Sequence, residues 1–173
     1  FTTRPDTLFG ATYIVLAPEH GLIAQCADRI SNMTEVTVYQ KKTYAMAEAD
    51  RIAEGREKTG IEIKGIMAIN PANNEEIPVW ISDYVLGGVG TGAIMAVPAH
   101  DQRDFAFAKK FNLPIKMAVC PHYPASTCPI LDMAYTGSGH LVDSGVFNGM
   151  PSEKATWAIT KAVKGKKKIN FRL

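Results

Sequence analysis

Apolar positions along the chain switch between continuous or alternating runs and helical spacing, a pattern that predicts interleaved strands and helices. FTTR reads as the end of a strand, RPDT as a turn with Pro at its second position, and ATYIVLAP as a buried strand rich in β-branched residues. A short helix is expected over HGLIAQCADRI. Asn32 with Glu35 three residues on resembles a capping box. Val36, Tyr39, Met46 and Ala53 then recur at near-helical spacing until Gly55, which predicts one helix over roughly 34–54. IEIKGIMAI and EEIPVWISDYVL are strand-like runs parted by the turn-rich NPANN. With the Gly-rich loop GGVGTG and the apolar run AIMAVP that follow, they predict a meander with a loop at its mouth. A helix is expected from about Asp101 through DFAFAKKF to about Asn112, then a strand over IKMAVC.

Pro121 to Thr136 is Pro-rich and irregular and reads as a surface loop. GHLVDSGVFNG is strand-like. Pro151 opens a helix over SEKATWAITKAV that carries Ala155, Ile159 and Val163 on one face, with Gly165 past its end and Lys161 and Lys164 suited to its C-terminus. No internal repeat or linker divides the chain.

Length and composition narrow the class. The 173 residues are 46% hydrophobic and 21% charged, which suits one compact domain and excludes disordered and low-complexity classes. Nineteen Lys and Arg against 17 Asp and Glu leave a charge of +2, too little to draw in a polyanion by bulk charge, so a nucleic-acid partner needs a local site. No run approaches the ~20 apolar residues of a membrane span, and the N-terminus lacks the plan of a secretory signal; the expectation is a cytoplasmic protein with no membrane partner. Cys26, Cys120 and Cys128 do not make a disulfide framework and fit a reducing compartment. The chain opens on Phe1 without an initiator Met and stops at Leu173, as if cut from a longer one.

Several constellations could carry chemistry. Gly88, Gly90 and Ala93 satisfy the spacing of a dinucleotide fingerprint, but AIMAVP is apolar, short and closed by Pro98 where a phosphate-binding helix should begin. Cys120, His122 and Cys128, with His20 or His140, match no common zinc spacing, so two ordinary thiols in a surface loop and no metal are expected. Ser138 and Ser144 have no nucleophile-elbow motif or linked base.

On a helix at about 100° per residue, Asp104 shares a stripe with Phe107, Ala108 and Phe111, so it points to the apolar side. Either Asp101 is an N-cap and Asp104 an acid satisfied by first-turn amides, or Asp104 is an inward carboxylate that holds a cation such as an ammonium group. TTRPDT packs three hydroxyls, a guanidinium and a carboxylate into six residues. It reads as a β-turn with capping threonines, or as hydroxyl donors beside Arg4 that line an ester or phosphate.

Taken together, TTRPDTLFGATY at 2–13 and GTGAIMAVPAHDQRDFAFAKKF at 90–111 resemble the threonine-rich and aspartate regions of the editing domain, connective polypeptide 1, of leucyl-tRNA synthetase. EEIPVWISDYVL and AYTGSGHLVDSGVFNGMPSEKA extend the resemblance over essentially the whole chain. The synthetase signatures HIGH and KMSKS are absent, which implies editing without amino-acid activation. The resemblance implies a single editing domain over 1–173, an α+β fold built on a mixed β-barrel-like sheet with peripheral helices. The implied activity is that of an aminoacyl-tRNA deacylase that removes norvaline, isoleucine or similar miscognates from tRNA-Leu and spares leucine; a non-catalytic module binding the tRNA acceptor end is the alternative. No cofactor is implied. The implied partners are the acceptor end of tRNA-Leu, with its terminal adenosine, and the catalytic body of the parent synthetase.

By the same resemblance, Thr2, Thr3 and Arg4 contact the terminal adenosine and the ester, with Asp6 beside them. Thr7 narrows the amino-acid pocket against leucine, Met95 and Val97 line it, and Asp104 binds the α-ammonium. Asp101 and His100 support the helix start and its loop. Thr2, Thr3 and Asp104 form the implied catalytic set. Gly87, Gly88 and Val89 stand where the family commonly has Met, an acidic residue and Tyr, so adenosine contacts from those side chains are lost. Ala106 replaces a common Glu on the exposed side of the helix.

Overall fold

The computed structural model describes residues 2–53, 55–124, 132–163 and the backbone of 171–172. A 3₁₀ helix, Pro5–Gly10, leads into β1 (Tyr13–Leu16), α1 (Gly21–Gln25), a 3₁₀ turn at Ala27–Arg29, α2 (Met33–Tyr44) and α3 (Glu48–Ile52). β2 (Gly60–Ile69), β3 (Glu76–Ser82), β4 (Ala93–Ala96), α4 (Gln102–Lys110), β5 (Val119–Cys120) and β6 (His140–Leu141) follow. A 3₁₀ turn at Gly145–Phe147, α5 (Ser152–Val163) and β7 (Phe171–Arg172) end the described chain.

Among the described residues five strands make one open sheet in the order β4-β1-β3-β2-β7, and β5 and β6 pair separately. The α+β class holds, but the barrel-like expectation is corrected: β4 and β7 are the edges of the larger sheet and do not meet. The meander is corrected too. β3 pairs antiparallel with β2 on one side and parallel with β1 on the other, so both its edges are taken, and AIMA adds instead to the free edge of β1.

Alternation along β1 sends its side chains to two cores, as a strand buried on both faces requires. Ile14 and Leu16 pack with Ile23, Val36 and Ile63 towards α1 and α2. Tyr13 and Val15 pack with Trp80, Tyr84, Ala96 and Phe107 towards α4. Phe107 is the centre of that second core, edge-on to Trp80 at 5.4 Å and stacked with Tyr13 at 5.6 Å. Full burial of such a ring is worth about 1.5–3 kcal/mol. A third core joins Leu8 to Val119, Leu141, Ala155 and Ile159 beneath α5.

Local departures have local causes. Thr2–Arg4 is not a strand, and RPDT enters the 3₁₀ helix because the Thr7 amide donates to Arg4 O at 3.1 Å. The helix expected over 34–54 breaks after Tyr44, and α3 turns so that Arg51, 2% exposed, donates to Asp83 O and Val85 O and pairs with Glu19. Asn32 does not cap α2. Its side chain is spent on β2, where Oδ1 accepts from the Lys64 amide and Nδ2 donates to Glu62 O. GHLVDSGVFNG keeps only His140–Leu141 as strand, since Asp143 and Gly145 take positive φ and turn the chain. In α5, Ala155 and Ile159 are buried as expected, while Lys164 and Gly165 lie outside the described residues.

Candidate functional site

The β1–β4 register, Tyr13 opposite Ala96 through Leu16 opposite Ala93, fixes where the site can form. Because the two strands are antiparallel, the segment before β1 and the segment after β4 leave the sheet at the same end, and the Thr12 amide donates to Ala96 O at 3.2 Å. Residues 2–7 and 97–104, far apart in sequence, are thereby neighbours of one sheet end.

In the first segment Arg4 forks onto Asp6, with Nε to Oδ1 at 3.0 Å and Nη2 to Oδ2 at 2.7 Å. Asp6 is 1% exposed and raises the Arg4 pKa above its ordinary value, chiefly through this bond. The third guanidinium nitrogen donates to Thr136 O. Thr7 is fully buried, and its amide and Oγ1 both donate to Arg4 O, at 3.1 and 2.8 Å. Thr2 Oγ1 accepts from the Arg4 amide at 3.0 Å, and Thr3 is exposed.

In the second segment Asp101 has the extended backbone of an N-cap and accepts from the amides of Arg103 and Asp104. Burial pushes its pKa up, but its bonds to Arg103 and its cap amides hold it below the ordinary value. Asp104 is not a cap. Its carboxylate, on a residue 4% exposed, accepts from the Tyr84 hydroxyl at 3.1 Å and from the Val97 amide at 2.9 Å, while the Tyr13 hydroxyl donates to its carbonyl. It forms no ion pair among the described residues. Burial, with the nearby Asp101 charge, raises its pKa to about 7.

His100 is buried, and Nε2 accepts from the amides of Ala118 and Val119 at 3.0 and 3.1 Å, which leaves the proton on Nδ1 to donate to Tyr135 O. Burial lowers its pKa. Its ring is thus wholly engaged by backbone. The adjoining residues Tyr135 and Thr136 bring this knot beside the Arg4 fork, since one accepts from His100 and the other from Arg4.

A cavity of about 400 Å³ lies against β1 and β4. Its walls are mostly aliphatic, among them Ile14, Leu16, Leu22, Ile69 and Ile77. Of the residues expected in the site, Thr2 and Met95 line it; Thr7, Val97 and Asp104 do not. Val97 joins the site through its amide, on Asp104.

Sequence reasoning missed Tyr84 and Tyr13, the partners of Asp104, and Asn70, which is 2% exposed and holds Leu8 O and the Ala72 amide. Nothing in their spacing signals those roles.

The alternative chemistries do not assemble. After the glycines comes an edge strand, not a helix, so no phosphate cradle forms. Among the described residues no three His, Cys, Asp or Glu side chains converge as a metal site. Cys120 is disulfide-bonded, which corrects the expectation of an ordinary thiol and removes its thiolate; Cys128 lies outside the described residues. Ser144 Oγ is spent on Val142 O. No described helix is long and apolar enough to cross a membrane.

This fold occurs in an aminoacyl-tRNA synthetase. Ninety-nine per cent of the chain superposes, with a TM-score of 0.67 and 28% identity, on 18% of the synthetase chain in the crystal structure of the ternary complex of Agrobacterium radiobacter K84 agnB2 LeuRS-tRNA-LeuAMS. The chain belongs to the leucyl-tRNA synthetase editing-domain family, whose profile matches residues 1–164. It is 49% identical over 182 residues to the leucine–tRNA ligase of Synechococcus sp. (strain JA-3-3Ab), and 48% identical over 177 residues to that of Rubrobacter xylanophilus. Each match takes in 100% of this chain and 21% of the relative, so the chain spans about a fifth of their length.

Proposed function

We propose that this chain hydrolyses the ester between a miscognate amino acid, such as norvaline or isoleucine, and the terminal adenosine of tRNA-Leu, and spares leucine. Family membership over residues 1–164 supports a role in editing. The observation that carries the hydrolytic reading is Asp104, a buried carboxylate with no cationic partner among the described residues and a pKa raised to about 7. A charge so placed is costly until it is paired, and the α-ammonium of an aminoacyl ester supplies the pair.

Asp104 then anchors the amino group while the Val97 amide and the Tyr84 hydroxyl hold the carboxylate in place. Thr2, Thr3 and Arg4 contact the adenosine and the ester, with the Arg4 guanidinium kept in position by Asp6. Hydroxyl and guanidinium donors there stabilise the charge that develops on the ester oxygen when water attacks. His100 has no ring nitrogen left for proton transfer, so the attacking water is positioned by these groups and the free ribose hydroxyl.

Norvaline lacks one methyl of leucine and isoleucine places it differently, a difference worth about 1–3 kcal/mol to a binding site, which is why a synthetase needs a second, hydrolytic sieve. The sieve is assigned to Thr7, whose buried side chain is pinned to Arg4 O, with Met95 of the cavity wall beside the acyl group and Val97 holding Asp104 through its amide. The parent synthetase body and the tRNA-Leu acceptor end are the partners.

The test is deacylation of norvalyl-, isoleucyl- and leucyl-tRNA-Leu by this chain. Loss of the first two with the third intact is expected. Binding of the charged acceptor end without turnover would replace this reading with that of a non-catalytic module.

A further inference from the structure

In the lining of the cavity against β1 and β4, one half-buried ring nitrogen is a preoriented donor with no acceptor among the described residues. His20 lines it, and Nδ1 of that ring accepts from the Leu22 amide at 3.2 Å, which puts the proton of the neutral ring on Nε2. Among the described residues no acceptor meets Nε2. The Gly-rich loop packs against the same residues: a Cβ on Gly92, at φ +65, would come 3.3 Å from His20 Cδ2, and one on Gly87 3.3 Å from Glu19 Cβ. The ring is therefore oriented by its own cap bond, and a side chain at position 92 would crowd it.

Two other polar side chains in the lining are engaged, and the Thr2 oxygen accepts from the Arg4 amide. Asn70 holds Leu8 O and the Ala72 amide, and the Thr91 hydroxyl donates to Ala93 O. Thr2 lies in the same wall as Met95, while His20 abuts Gly92, next to the start of β4. Ala93 to Met95 alone spans about 7 Å at ~3.4 Å per residue. A cavity reaching past both ends of that span holds more than an amino-acid side chain.

We propose that His20 is a substrate-binding residue, whose Nε2–H donates to an acceptor atom of the aminoacyl-nucleoside when the acyl group sits at the Thr2–Met95 end. The inference rests on the editing reading. An ammonium and an aliphatic side chain offer no acceptor, so the bond goes to a nucleoside oxygen or ring nitrogen or to the acyl carbonyl. Buried apolar walls make such a bond selective, because a ligand lacking the acceptor leaves the donor unpaired.

The test uses this chain, His20→Asn and His20→Ala, with adenosine and the non-hydrolysable 3′-norvalylamido-adenosine as probes. Asn keeps a cap for α1, so His20→Asn is expected to melt with the wild type. Saturation with the amide should move the Nε2 nitrogen resonance of His20, and both variants should bind it about three- to tenfold more weakly. An equal loss with adenosine assigns the bond to the nucleoside; a loss confined to the amide assigns it to the acyl carbonyl. If the wild type binds the amide while the resonance stays still and His20→Asn binds equally, the inference is overturned and the editing reading stands. If the wild type neither binds the amide nor deacylates norvalyl-tRNA, the editing reading falls and takes this one with it.

Discussion

Replacing Asp104 with Asn should make the protein more stable above neutral pH and poorer at its chemistry. The carboxylate ionises at about 7 in the fold against an ordinary 3.8. A raised pKa means that its favourable contribution is full below pH 3.8 and is lost as the pH climbs through about 7. At about 1.4 kcal/mol per unit, the cost of keeping it charged reaches roughly 4 kcal/mol on the alkaline side. Asn has the same shape and carries no charge. Its carbonyl can accept from the Val97 amide, and its NH₂ can donate to the Tyr84 oxygen in place of the bond that the tyrosine now donates.

Denaturant midpoints measured from about pH 3 to pH 8.5 should therefore diverge, nearly equal at the acid end and favouring Asp104→Asn by a few kcal/mol at the alkaline end. Asp104→Ala removes the same charge but strands the Val97 amide, so it should lie about 1–3 kcal/mol below Asp104→Asn at every pH. Norvalyl-tRNA hydrolysis by the folded Asn variant should fall sharply, since a neutral amide cannot pair an ammonium. Parallel pH profiles for wild type and Asp104→Asn would refute the burial argument. Unchanged hydrolysis would remove Asp104 from the site.

Two further outcomes are expected. Thr7→Ala should begin to hydrolyse correctly charged leucyl-tRNA, with a gain of roughly ten- to a few hundredfold, and intact leucyl-tRNA in a folded mutant would place the sieve elsewhere. Binding of tRNA by this chain should be weak and fall with salt, and a stripped acceptor end should compete almost as well as whole tRNA, because a net charge of +2 offers few phosphate contacts; tight, salt-independent binding would contradict this.

How far the sequence could be read depends on whether a residue's partner was local. Asp101 was legible as a cap because the amides that donate to it lie in its own first turn. The inward direction of Asp104 followed from helical spacing, but its partners, Tyr84 and the Val97 amide, belong to other elements and left no mark. Asn32 and Glu35 had the spacing of a capping box, yet two bonds to β2 outcompeted it. The break after Tyr44 was invisible for the same reason: Tyr44 and Gln40 both donate to Pro18 O, and Arg51 must turn inward to reach Asp83 and Val85. The sheet order defeated local patterning, since AIMA is as good a neighbour for β3 as for β1 until β3 is seen to have no free edge.

Among the described residues β4 pairs with β1 as an edge strand, over four residue pairs, and it carries Met95 and leads into Val97. An edge strand detaches at a lower free energy than the whole domain unfolds, so this wall of the cavity opens on its own clock. Amide exchange at Ile94 and Ala96 reads that clock directly, ahead of exchange in the doubly paired β3. A substitution that tightens β4 onto β1 slows that exchange without altering a single group that faces the cavity.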